Sequence, residues 1–139
     1  MKIAGGTAVI LLVTLGVLHL YWAIGGQWGK GVALPEHEGR PVWRPSALGT
    51  GLVALGLFTM AVLLLRVGWL GAYSGAKPVR AGVWLVAALF LFRALGDFRY
   101  VGFCKRVRGT RFARLDTLIY SPVCLLLAVL ITLTVSFDP

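Results

Sequence analysis

Arg93 and Asp97 follow directly on the apolar run Gly-Val-Trp-Leu-Val-Ala-Ala-Leu-Phe-Leu-Phe that begins at Gly82. A charge pair is thus expected inside a membrane helix, and its spacing of four puts both residues on one face. Either group in hydrocarbon costs roughly 2.5–3.5 kcal/mol on insertion scales, so such residues face the bundle interior, find partners and mark functional sites. The spacing predicts a charge pair in a polar pocket, Asp97 orienting Arg93 toward the anionic or carbonyl group of an amphipathic ligand. Arg99 and Tyr100, just beyond, extend the expected ligand-binding set. The competing structural reading is that Arg93 and Asp97 neutralise one another and lock helices together.

Three further residues could move or stabilise a proton. His19 carries the side chain best suited to acid–base work near neutrality. Asp116 and Tyr120 are four apart, and Cys124 continues their stripe. In an enzyme, His19 or Asp116 would transfer a proton while Tyr120 donates to developing oxygen charge, as in the isomerisation or oxidoreduction of a lipid, isoprenoid or quinone. Pro122 lacks a donor and crowds the preceding turn, which leaves the Leu118 carbonyl available to a polar partner. The plainer roles are a helix N-cap for Asp116, an interfacial hydrogen bond for His19 and an aromatic-belt position for Tyr120.

Positioning these residues requires membrane helices. Hydrophobic residues make up 58% of the chain and charged residues 14%, a balance that leaves too little polar surface for a soluble domain. Four apolar spans are expected over residues 3–24, 46–65, 82–101 and 117–137. Each approaches the length of about 20 residues that crosses a hydrocarbon core of about 30 Å. The expected fold is all-α, a single domain of 139 residues forming an antiparallel four-helix bundle. Lys2 before an apolar run imitates a secretory signal, but the run is longer than a signal core, so it reads as a retained helix. Ala47, Ala54 and Ala61, with Gly49 and Gly56 beside them, form a small-residue stripe suited to close helix approach. Trp22, Trp28, Trp43, Tyr100 and Tyr120 mark one interface and Trp69, Tyr73 and Trp84 the other. Antiparallel topology then brings His19, Arg93, Asp97, Asp116 and Tyr120 to one end, whereas the other offers Arg66, Lys77, Arg80 and the terminal Asp138.

The net charge is +9. Connections one and three hold Lys30, Arg40, Arg44, Arg99, Lys105, Arg106, Arg108, Arg111 and Arg114, against Lys2, Arg66, Lys77 and Arg80 on the other side. The positive-inside rule makes connections one and three cytoplasmic and both termini external, in the cell (inner) membrane. The expected partners are anionic lipid headgroups at the basic third connection, an amphipathic small molecule, and, as an option left open, a second copy of the chain. Nucleic acid is not expected, since the basic stretch is short and no recognition module accompanies it. Pro35-Glu36-His37-Glu38 is a poor metal motif without further ligands. Cys104 and Cys124 have neither redox-motif spacing nor a compartment that favours a disulfide. No phosphate loop, dinucleotide fingerprint or hydrolase elbow is present, and no cofactor is identified.

His19-Leu-Tyr-Trp-Ala-Ile-Gly-Gly, Arg93-Ala-Leu-Gly-Asp-Phe-Arg-Tyr-Val-Gly-Phe and Phe112-Ala-Arg-Leu-Asp116, leading to Tyr120-Ser-Pro-Val-Cys124, together resemble a bacterial family of small four-helix membrane proteins, domain of unknown function 3995. The resemblance covers almost the whole chain. It implies a four-span fold with these motifs at one end, and it implies no activity, substrate or cofactor. Two other function classes remain beside the pocket: a small transporter or channel gated by the charge pair, and an accessory subunit whose arginines dock a partner. Inverted repeats are not apparent, and the far ends of spans one and two are almost wholly apolar, which favours a dead-end pocket over a path.

Overall fold

A computed structural model describes residues 2–70 and 77–136. The elements run α1 (Lys2–Ala23), α2 (Lys30–Ala33), β1 (Glu36–His37), β2 (Arg40–Pro41), α3 (Ala47–Leu70), α4 (Lys77–Leu95), α5 (Arg111–Leu115), a π-turn (Asp116–Tyr120) and α6 (Ser121–Ser136). Four stretches are long and apolar enough to cross a membrane: Ile3–Ala23, Ala47–Val67, Lys77–Leu95 and Arg111–Ser136. They pack against one another as a four-helix bundle. Ile10, Leu55, Leu85 and Phe92 are exposed on its outside, as expected of helices that are apolar on every face because lipid is their solvent. Of the residues placed at the opposite end, Tyr73, Phe137, Asp138 and the Trp69 side chain lie outside the described set.

α3 runs on to Leu70 and α4 begins at Lys77, beyond the expected bounds of 65 and 82; the two boundaries nearest connection three also differ, and each of these has a local cause. Span three was expected to reach Val101, but α4 stops at Leu95. Gly96 takes φ +95°, the left-handed conformation that ends helices. Span four was expected to begin at Thr117, with Asp116 as its cap. The helix instead starts at Arg111, where the Thr110 hydroxyl accepts from the Ala113 N–H at 3.1 Å. Asp116 is therefore inside the helix, at the start of a π-turn in which the Ser121 N–H donates to the Asp116 carbonyl. Pro122 accounts for the wider turn, since its ring crowds the preceding turn and it supplies no N–H. No side chain among the described residues donates to the Leu118 carbonyl.

Small residues set the packing, though not all those anticipated. Ala54 and Ala61 are buried, whereas Ala47, Gly49 and Gly56 are exposed. A Cβ at Gly16, by contrast, would press on the Phe58 ring of α3, and α1 and α3 form the most extensive helix pair. α4 packs chiefly on α6, and α1 also rests on α6, while α3 and α4 meet at few points.

The bundle is filled at one end and hollow at the other. Ala8, Leu12, Ala61, Leu64, Val83, Ala87, Leu127 and Ile131 form the core. All lie in the half remote from connections one and three except Ala87, which is near the middle of α4. Toward those connections the space beside His19 and Arg93 is open. Connection one covers this end with α2 and a two-stranded hairpin, in which Glu36 pairs with Pro41 and His37 with Arg40. Glu38 and Gly39 make its turn with φ of 51° and 74°, the sign both central residues of a tight type I′ hairpin require.

A candidate functional site built around Asp116

The segment after α4 folds back on itself. Gly96 and Gly102, with φ of +95° and +85°, bring their backbones into contact, and a Cβ on either would fall on main-chain atoms of the other side. Asp97 closes the loop: its Oδ1 accepts from the N–H groups of Arg99 (2.9 Å), Tyr100 (2.7 Å) and Val101 (2.9 Å). The returning chain then caps α4, the Phe103 and Cys104 N–H groups donating to the carbonyls of Ala94 and Leu95 at 2.8 and 3.1 Å. Thus the helix end is satisfied by its own connection.

This geometry corrects the expected pairing. Arg93 does not bond Asp97, because the helix ends between them and the Asp97 carboxylate is committed to backbone donors. Arg93 instead reaches across to span four, Nη2 donating to Asp116 Oδ1 at 2.9 Å. Asp116 is fully buried, and its Oδ2 accepts from the Gly102 N–H at 2.7 Å and from Lys105 Nζ at 2.9 Å. Lys105, itself 2% exposed, spends its other protons on the Gly102 carbonyl at 2.8 Å and the Thr117 hydroxyl at 2.7 Å. One carboxylate thereby ties together the end of α4, the loop and span four.

The hub carries two cations for one anion, so a positive charge is left over. Part of that excess lies on Arg93, whose Nη1 is buried with no hydrogen-bond partner although its side chain as a whole is 37% exposed. An unmatched charged donor of this kind costs at least about 1–3 kcal/mol. A chamber of about 680 Å³ lies under connection one, lined by Lys30, Arg44, Trp43, Thr50 and Phe112. A second, of about 460 Å³, extends deeper among Leu15, Leu57, Phe90, Val123 and Cys124. The two share His19, Trp22, Ala33, Val53 and Arg93 as walls, so they adjoin, the upper one cationic and the deeper one apolar. The packed core closes its floor.

The expected site residues divide accordingly. His19 and Arg93 line both chambers and Tyr120 lines the deeper one. His19 Nδ1 lies 2.8 Å from the Leu15 carbonyl; a carbonyl only accepts, so Nδ1 carries the proton and Nε2 is the ring nitrogen left for other work. The Tyr120 hydroxyl donates to the Val32 carbonyl at 3.3 Å, pinning α2 to span four. Asp116 stands behind Arg93, with both oxygens occupied. Asp97, Arg99 and Tyr100 line neither chamber; Arg99 lies over the Tyr100 ring at 5.0 Å, and that ring meets His37 of the hairpin edge-on at 6.0 Å. Glu36 accepts from the Arg111 N–H at 3.3 Å, which binds the same hairpin to span four.

Three contributors were missed. Lys105 had been counted as a loop cation, and nothing in its sequence context distinguishes it from Arg106 or Arg108. Lys30 and Arg44 count in the sequence only toward the positive-inside bias, and it is the fold of connection one that brings them to the same chamber as Arg93.

Asp97 provides a direct test of the loop. Burial pushes its carboxyl upward, but the N–H groups of Val101, Arg99 and Tyr100 outweigh that and hold it below its ordinary value near 3.8. A lowered folded pKa contributes stability that is complete above the unfolded value and disappears as pH falls through the folded one. Melting temperature should therefore drop as pH is taken below 3.8. At neutral pH Asp97→Asn, which keeps an acceptor oxygen, should cost less than Asp97→Ala. The alanine is expected to cost about 2 kcal/mol, at the upper end of side-chain capping effects. Equal melting of wild type, Asp97→Asn and Asp97→Ala in detergent would contradict this assignment.

No curated protein and no solved structure matches the chain. A family model described as a protein of unknown function (DUF3995) matches residues 12–131, spanning His19, the Arg93-to-Gly102 loop, Lys105 and Asp116, and the chain belongs to that family.

Proposed function

We propose that this protein binds an amphipathic molecule drawn from the membrane, with its polar head beneath connection one and its apolar part in the deeper chamber. The observation that carries this reading is the pair of adjoining chambers graded from Lys30, Arg44 and Arg93 to Leu15, Leu57 and Phe90. Each is within the size range of small-molecule sites, about 300–1,000 Å³. The closed floor argues against a channel, and the hollow argues against a purely structural bundle. The sparse contact between α3 and α4 offers a lateral way in from lipid. Of the three proton-transfer candidates, His19 alone brings an uncommitted atom to the chamber, so any turnover depends on it. In this reading connections one and three face the cytoplasm in the cell membrane. The exposed Arg106, Arg108, Arg111 and Arg114 then hold anionic headgroups at about 1 kcal/mol each.

The test is to purify the protein in mild detergent and measure by mass spectrometry what remains bound. An amphiphile near one per chain is expected, and Leu57→Trp, which fills the deeper chamber, should lower its occupancy at least tenfold without altering the melting temperature. A bound-lipid profile identical to the bulk extract in both proteins would overturn the proposal.

A further inference from the structure

Resting on that reading, we infer that the ligand is a single-chain amphiphile with an anionic oxygen head, of the alkyl phosphate or carboxylate kind. The head follows from the walls. Every side chain of fixed charge lining either chamber is a cation, namely Lys30, Arg44 and Arg93, and none of the described acidic residues lines them. The remaining ionisable group at the junction, His19, is already donating through Nδ1. Asp116 neutralises only part of the local charge, because it is shared between Arg93 and Lys105, and Arg93 Nη1 has no acceptor. An anionic oxygen at the junction balances that charge. A neutral or cationic head does not.

The single chain follows from volume. The deeper chamber of about 460 Å³ equals roughly fifteen waters at about 30 Å³ each. A methylene group occupies nearly the same space as a water, so one alkyl or prenyl chain fills the chamber, and two acyl chains of membrane length do not fit.

Cys124 lines the deeper chamber and can report on its occupancy. The described cysteines are Cys104, exposed, and Cys124, so Cys104→Ser leaves one thiol. In phosphatidylcholine nanodiscs, the rate of N-ethylmaleimide reaction at Cys124 is measured against added hexadecyl phosphate, hexadecanol, dihexadecyl phosphate or inorganic phosphate. Hexadecyl phosphate is expected to protect the thiol at least tenfold, and the other three much less. Arg44→Gln with Lys30→Gln should shift the protecting concentration upward at least tenfold; neither residue belongs to the buried hub, so folding is retained. Equal protection by hexadecanol would overturn the anionic head and leave the pocket standing, and equal protection by dihexadecyl phosphate would overturn the single chain. Protection by inorganic phosphate alone would replace the amphiphile with a free anion. No protection by any probe would overturn both this inference and the binding reading beneath it.

Discussion

Asp116→Leu is expected to prevent the bundle from reaching a stable folded state. The side chain is fully buried and faces two cations, one of them, Lys105, equally buried. Removing one partner of a buried ion pair costs about 3–5 kcal/mol, because the other is left charged and unmatched. Here two are left, together with the Gly102 N–H. That loss is a large part of the roughly 5–15 kcal/mol that holds an ordinary domain together. Asp116→Asn should be milder, since an amide oxygen still accepts from Gly102 and Lys105 but offers them no charge. The informative variant is Lys105→Met with Asp116→Leu. Replacing both buried members by apolar groups of similar size is often neutral, and Arg93, whose side chain is 37% exposed, can turn its head toward water. The double variant should therefore melt nearer to wild type than Asp116→Leu does. If Asp116→Leu alone melts like wild type in detergent, the carboxylate does not hold the hub, and its burial needs another explanation.

The same residues illustrate what a sequence of this kind discloses. Hydropathy is a one-dimensional property, and it locates four spans because lipid demands about 20 apolar residues wherever a helix crosses. Helix ends obey local rules that hydropathy does not see. Span three loses six residues because Gly96 leaves the helical region, and span four gains six because Thr110 caps it upstream. Those two shifts decide the chemistry. With Asp97 outside the helix, the spacing of four from Arg93 has no meaning as a helix face, and Asp97 becomes a cap for three amides. With Asp116 inside a helix, it must be paired, and its partners come from 23 and 11 residues away in sequence. Pairing at such separations depends on how the loop folds, so neither the Arg93 partner nor the burial of Lys105 was open to a reading of spacing. His19 and Arg93 were legible as cavity residues because each sits near the end of an apolar span, on the side where both covering connections lie.

The asymmetry of the bundle supports the proposed binding role. A uniformly packed four-helix protein would have no reason to bury a lysine and a carboxylate near one end, since apolar groups would fill that space at less cost. In this protein the buried hub joins α4, the loop and span four, and its Arg93 lines the open volume at that end. The core at the other end supplies the cohesion that the hollow end lacks. The hub can thus be regarded as the frame of the cavity, with Arg93 belonging to both: its Nη2 bonds Asp116 within the frame, and its side chain, 37% exposed, lines the space beside it.

Gly102→Ala should be nearly as damaging as Asp116→Leu, for a reason that involves no charge. Gly102 has φ +85°, and a Cβ there would meet the Gly96 backbone and the Leu95 carbonyl. The left-handed conformation alone costs an alanine about 1–2 kcal/mol, and main-chain atoms cannot rotate aside as a side chain can. Relief requires the loop to open, which withdraws the Gly102 N–H from Asp116 and the Gly102 carbonyl from Lys105. Gly96→Ala faces the same obstacle from the opposite strand of the loop, at the Val101 carbonyl. Gly56→Ala provides the control: nothing lies within 4 Å of its added Cβ, and in a helix interior alanine is better than glycine by about 0.8–1.0 kcal/mol. Thermal melts in one detergent should rank Gly56→Ala at or above wild type, with Gly96→Ala and Gly102→Ala well below it. Because the loop and the hub act as one unit, Gly102→Ala should also cost much less in an Asp116→Asn background than in wild type, as neighbouring groups are not additive. Full additivity would mean that the loop closes independently of Asp116, and the carboxylate would then be a partner of Arg93 and Lys105 without being the anchor of the connection between them.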